Sequence, residues 1–168
     1  MDRLFFETKA SNADTGEITA TAWVYDTPDR VGDVIEKGAF AGVKLPLPML
    51  FGHDLNDPIG IWSEVIETKK GIEIKGKLLI DTVARAREVL SLVVSGAVTG
   101  TSVGFRSKKS IPLPKGGRKI LSGELMEISL VTIPCHPGAR VTSAKSAVQA
   151  LRIAEAINRA SAALSQKR

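Results

Sequence analysis

The feature that most limits what this chain can fold into is the period-two pattern over residues 72–80. Ile72, Ile74, Leu78 and Ile80 fall on one face of an extended segment. A second strand-like segment, residues 59–67, precedes it, and Lys69-Lys70-Gly71 between them is a hairpin signal. Other short extended stretches surround this pair. Residues 17–25 alternate apolar with polar or small side chains, and residues 26–30 break them with turn chemistry. Residues 31–40 read as a loop holding a short strand, with a local turn at Gly38. Pro46 and Pro48 flank an extended piece, because proline pushes its predecessor out of the helical region. Residues 49–53 form a short buried strand that delivers His53 at its end, before a turn over residues 54–58.

One helix is embedded among these strands. Asp81 or Thr82 is expected to cap it, and Gly96 to stop it. Val83, Ala86, Leu90, Val93 and Val94 share its apolar face, with Arg85 and Glu88 pointing away. Residues 99–107 return to strand, with Thr101, Val103 and Phe105 on one side and Ser102, Gly104 and Arg106 on the other. Residues 108–119, with two prolines and Gly116-Gly117, are expected to be a mobile basic loop. Residues 121–133 supply the last strand or pair of strands, on which Glu127, Ser129, Val131 and Ile133 share a face. The architecture expected is α+β but mainly β: a small closed or nearly closed β-barrel flanked by helices. The expected domain spans residues 1–142. Residues 143–168 form a basic, alanine-rich tail, helical by propensity from about 143 to 164. Its two-heptad apolar seam is too short to stand alone, so it packs on its own domain, on a dimer mate or on another protein.

Totals narrow the function classes. At 168 residues the length suits one domain, and no apolar run of about 18 residues exists to span a bilayer. The first residues are charged and lack the long apolar core of a signal peptide. The single cysteine, Cys135, excludes an internal disulfide and fits a reducing cytoplasm. Residues 1–139 hold 17 Lys and Arg against 17 Asp and Glu, and residues 140–168 hold six bases and one acid. The whole excess of +5 therefore lies in the tail, and the balanced domain argues against a specific nucleic-acid surface.

The chemistry-bearing residues are few. Gly100 to Gly104 matches G-x-S-x-G, but an α/β-hydrolase needs a strand before the serine and a helix after it. Here a helix precedes and a basic extended stretch follows. Taken singly, Ser102 reads as a small strand residue among glycines, and His53 as a turn histidine bonded to Asp54 or to the backbone. Glu127, on a strand otherwise rich in apolar residues, is costly unless partnered if its face is buried. A serine nucleophile needs a base, and the base an orienting group. Cys135 with His53 is a cysteine-protease alternative, yet nothing lowers the thiol pKa visibly. Two histidines and scattered acids show no metal-ligand spacing, and no cofactor is expected.

Together these phrases resemble a family. Asp33-Val34-Ile35-Glu36-Lys37-Gly38-Ala39-Phe40, Met49-Leu50-Phe51-Gly52-His53-Asp54, Pro58-Ile59-Gly60, Gly100-Thr101-Ser102-Val103-Gly104-Phe105 and Glu127-Ile128-Ser129-Leu130-Val131-Thr132-Ile133-Pro134 are similar to the prohead serine proteases of tailed bacteriophages. The resemblance runs in order from about residue 16 to residue 144. It implies a barrel shared with herpesvirus assemblins and a protease held inside the immature capsid of a phage or prophage, in the host cytoplasm. It implies as substrates the scaffold protein or the scaffolding segment of the major capsid protein, and the protease itself, with a possible homodimer and no membrane partner. By the same resemblance His53 is the general base, Ser102 the nucleophile and Glu127 the third member. Assemblins use a second histidine in that third place, which makes His136 a rival, and Glu124 is a weaker one. The Val103 N–H is the nearest oxyanion donor, with a contribution expected from the loop around Arg140. The non-enzymatic alternative is a capsid-assembly or scaffold-binding barrel in which the three side chains are incidental.

Overall fold

The computed structural model describes residues 15–144 and residue 157. In chain order the elements are β1 (Glu17–Val24), β2 (Val34–Ile35), β3 (Leu47–Phe51), β4 (Pro58–Glu67), β5 (Gly71–Leu78), α1 (Ala84–Ser95), β6 (Gly100–Pro112), β7 (Arg118–Val131) and β8 (Arg140–Ala144). Seven strands close into a barrel in the order β7-β3-β4-β5-β1-β8-β6, with β6 pairing back onto β7. The two-residue β2 adds to the outer part of β7 in parallel, through Val34 opposite Lys119 and Ile35 opposite Ile120. The closing contact between β8 and β6 is short, a single register pair at Gly100 and Arg140, so β6 beyond it keeps one side outside the ring's pairing.

The period-two pattern that predicted the barrel also fills it. Ile18, Ala20 and Ala22 of β1 point inward, as do Ile72, Ile74 and Leu78 of β5 and Ile128 and Leu130 of β7. Gly76 faces Trp62 in the β4–β5 register, and a Cβ there would collide with the Ile61 carbonyl and the Trp62 ring. Trp62 is fully buried, and its indole N–H donates to the Ile128 carbonyl (2.9 Å), which ties β4 to β7 across β3.

The helix runs as expected with two differences. Its N-cap is Val83 and makes no side-chain capping bond, so neither Asp81 nor Thr82 fills that role. Val83 is instead anchored by its own N–H donating to the Leu79 carbonyl (2.8 Å). Val89 joins Ala86 and Leu90 on the buried face, and Gly96 closes the helix at φ 82°. Near its N-terminus Arg85 Nε donates to Asp57 Oδ2 (3.2 Å), with its guanidinium 4.7 Å from the centre of the Phe51 ring. These contacts brace the turn between β3 and β4.

One other expectation fails. Residues 108–119 are not a loop: β6 runs on to Pro112, β7 begins at Arg118, and only residues 113–117 turn the chain. On β6 of this outer ribbon the stretch from Lys108 to Pro112 is exposed and mostly polar, so it carries no period-two apolar signal, whereas β7 beside it buries Ile120 and Leu125. The end of the ribbon is held by Asp33, which accepts the Arg118 N–H (2.8 Å) and pairs with the Arg118 guanidinium. At the other end of the domain, Ser143 and Ala144 belong to β8, opposite Thr19 and Ile18 of β1, and so extend the barrel past the expected boundary at 142. The rest of the expected C-terminal helix lies outside the described residues, apart from Ile157, which is helical and exposed.

Candidate active site

Three adjacent strands carry the three side chains. β7 is central, with β3 parallel on one side and β6 antiparallel on the other. The register sets Ser102 of β6 opposite Ser129 and Gly104 opposite Glu127. On the other flank, Leu50 lies opposite Ser129 and Phe51 opposite Leu130. Past Phe51 the chain turns sharply through Gly52 (φ 64°) and His53 (φ 63°), both left-handed. Histidine is among the few residues that enter this region with some frequency. The turn sends the imidazole back over β7.

There it meets Glu127. His53 Nδ1 lies 2.7 Å from Glu127 Oε1, and a carboxylate can only accept, so Nδ1 carries the proton and Nε2 keeps its lone pair. Glu127 is 5% exposed, and its second oxygen accepts the Ser129 hydroxyl (2.7 Å). The buried carboxylate is thus answered on both oxygens, as burial demands. The hydrogen bond to Glu127 raises the His53 pKa above its ordinary 6.5; partial burial opposes this, and the carboxylate's charge adds to it. Gly104 completes the fit, because a Cβ at that position would collide with Glu127 Oε1.

Ser102 is 6% exposed and opens with His53 into a single cleft of about 360 Å³. Among the described residues the Ser102 hydroxyl has no hydrogen-bond partner, so its link to the imidazole is one of shared cleft and neighbouring strands. Catalytic hydrogen bonds often tighten only when substrate binds. The Thr101 N–H points toward β8 and donates to the Ala139 carbonyl (3.4 Å). Strand alternation gives the Val103 N–H the same direction. It lies past Gly100, the position at which β6 pairs with β8, and Val103 lines the cleft. That N–H therefore faces the cleft side of β6 and not the ladder to β7.

Of the remaining sequence candidates, His136 and Cys135 line the same cleft but are bonded to other partners, and Glu124 and Arg140 lie outside it. His136 is 2% exposed, and both ring nitrogens are engaged. Nδ1 accepts the Gly138 N–H (3.0 Å) and Nε2 meets the Thr27 carbonyl (3.2 Å), so it pins two loops together and does not contact His53. Glu124 pairs with Arg106 (2.7 Å) on the exposed outer ribbon, away from the imidazole. Arg140 opens β8 opposite Thr21 and Gly100 and is not among the cleft-lining residues. Cys135 donates its thiol to Asp29 Oδ2 (3.3 Å), and burial, followed by that carboxylate, pushes its pKa up, the opposite of an activated thiolate. Sequence reasoning missed Ser129 and Gly104 as parts of the site. The signal for Ser129 was present, since residues 127 and 129 share a strand face.

Comparison with known proteins places the chain in a family. Residues 5–153 match the family model of the caudovirus prohead serine proteases. A Pseudomonas phage PAJU2 protein named Capsid polyprotein is 38% identical over 83% of the chain, which covers 22% of that relative. Proteins named Prohead protease from Enterobacteria phage HK97 and Escherichia phage T5 are each 31% identical, over 74% and 70% of the chain. The match covers 58% of each of those two relatives, so the chain spans little more than half of their length. Among solved structures, a KSHV protease in complex with a hexapeptide phosphonate inhibitor shares the fold. Its TM-score is 0.51 at 14% identity, over 74% of this chain and 63% of that one. With the family model covering most of its length, and a barrel of the herpesvirus-protease type beneath it, this chain belongs to the caudovirus prohead serine protease family.

Proposed function

We propose that the protein is a serine endopeptidase of the immature phage capsid, with Ser102 as nucleophile, His53 as general base and Glu127 as the orienting acid. One observation carries this reading: the buried Glu127 fixes the His53 tautomer at 2.7 Å while Ser102 opens into the same cleft from the neighbouring strand. The His53 Nε2 lone pair takes the Ser102 proton as the oxygen attacks a peptide carbonyl. The resulting oxyanion is met by the Val103 N–H; one such donor is worth about 10²–10³ in rate. The imidazolium, stabilised by Glu127, returns the proton to the leaving amine. Water then repeats the sequence on the acyl-enzyme and frees the new carboxyl terminus. An extended substrate segment fits the unpaired side of β6 beyond Gly100, where main-chain groups are free to bond.

The substrates proposed are the scaffold protein or the scaffolding segment of the major capsid protein, and the protease itself. The likeness to a relative named Capsid polyprotein supports substrates of this kind. Action takes place inside the assembling shell within the host cell. The test is co-expression of the full chain with its capsid and scaffold proteins, as wild type or Ser102→Ala, followed by mass spectrometry of the fragments. Wild type is expected to generate discrete scaffold and protease fragments, and Ser102→Ala none, while both proteins unfold at the same temperature. Identical fragment patterns from the two proteins would replace the enzyme with a scaffold-binding barrel.

A further inference from the structure

Ser129 lies two residues beyond Glu127 on β7 and is 0% exposed. Its hydroxyl makes two bonds at once: it donates to Glu127 Oε2 (2.7 Å) and accepts the backbone N–H of His53 (3.0 Å). One proton and free lone pairs allow both without competition. We propose that Ser129 is a positioning residue for the reaction, a clamp that sets the acid by its side chain and the base by its main chain. The proposal rests on the assignment of His53, Ser102 and Glu127 given above.

The geometry shows what the clamp corrects. A glutamate side chain has three rotatable bonds, and with only Oε1 engaged its carboxyl plane would be free to tilt about the His53 bond. The Ser129 donor holds Oε2 and so fixes that plane. His53 sits in a left-handed conformation that residues with side chains avoid. The turn is held there by two successive N–H groups docked onto β7, Gly52 to the Leu130 carbonyl (3.0 Å) and His53 to Ser129. The strand that bears the acid therefore also sets the direction of the imidazole. Ser129 lies directly opposite Ser102 in the β6–β7 register, so the clamp is aligned with the nucleophile as well. An alanine at 129 would leave the His53 N–H and Glu127 Oε2 one partner short each, with no change on the substrate side of the cleft.

The experiment uses the full chain and a fluorophosphonate that labels an activated serine. Ser129→Ala is expected to lower the maximal inactivation rate roughly 10–100-fold, the range for a small misplacement of reacting groups, and to leave the apparent KI unchanged. Ser129→Thr, which keeps the hydroxyl, is expected to restore most of the rate. The downfield His53 Nδ1–H proton signal in NMR reports the pair directly: it should move upfield or vanish in Ser129→Ala and return in Ser129→Thr. A folded Ser129→Ala that labels at the wild-type rate would overturn the proposal. So would a rate loss in both variants with the Nδ1–H signal unchanged. If Ser129→Ala fails to fold, Ser129→Cys gives the same readings with a weaker donor: a reduced rate with an upfield signal supports the clamp, and a wild-type rate overturns it. Ser102→Ala separates the two levels of the argument. Undiminished labelling there removes the catalytic assignment and the clamp with it, whereas no labelling there beside a normal Ser129→Ala removes the clamp alone.

Discussion

Glu127 is a charged residue on a face that water barely reaches, and its surroundings are arranged to accept it. The imidazole takes one oxygen, a serine hydroxyl the other, and Gly104 yields the space in which Oε1 lies. Two predictions belong at this scale. The first concerns pH. Glu127 raises the His53 pKa, and the base works only when neutral, so the acidic limb of the rate profile is expected above pH 6.5. In Glu127→Gln the raising cause is gone, so the limb moves to lower pH while the plateau rate falls by up to about 10⁴. A limb that stays in place would show that another group titrates. The same shift has a sign for stability. A pKa raised by folding stabilises below the unfolded value, and that contribution fades as pH climbs through the folded one. With the imidazole side chain 44% exposed, solvent screening keeps the effect small. The second prediction is Gly104→Ala. Its methyl displaces Oε1, so the inactivation rate by a fluorophosphonate is expected to fall about 100-fold, the scale of a 1 Å misplacement. Overpacking is expected to cost about 1–3 kcal/mol in urea unfolding.

Strands announce themselves in sequence when one face is apolar and the other is not. That is why β1, β3, β4 and β5 were legible to within a few residues, and why the outer end of β6 was not. From Lys108 to Pro112 that strand is exposed, with Lys and Ser in place of an apolar face, although its partner β7 buries Ile120 and Leu125. The helix cap misled for a related reason: Asp81 and Thr82 have capping chemistry, but a backbone bond from Val83 to Leu79 anchors the turn without them. The proposed catalytic trio could be named from its residue types and its family resemblance. Ser129 could be placed on the same strand face as Glu127, but its two bonds, like the collision at Gly104, exist only once β3, β6 and β7 are side by side. The ribbon carries its own prediction. Asp33 is buried and holds both the N–H and the guanidinium of Arg118. Asp33→Ala is expected to lower stability by about 1.5–3 kcal/mol, the range for hydrogen bonds to a charged group, measured by chemical denaturation. Unchanged stability would mean that the ribbon is held by its β6–β7 ladder alone.

The balanced domain and its basic tail divide the molecule electrically at about residue 140. A protease that enters a shell before acting needs an element that carries it there, and we propose that the tail does so. Because β8 runs through Ala144, the informative truncation starts at residue 145 and leaves the barrel whole. Removal of residues 145–168 is expected to abolish recovery of the protease in assembled shells while fluorophosphonate labelling in solution continues. Packaging that survives the truncation would leave the tail a structural or dimer-forming segment. The way the ring closes has one more outcome, in time and not in space. The proposed base, His53, leaves the ribosome more than 45 residues ahead of the proposed nucleophile, Ser102, and the strand that must lie between them is made later still. A half-synthesised chain therefore holds a histidine with nothing to act through. The proposed trio of side chains is brought together only when the last strands of the barrel are laid down.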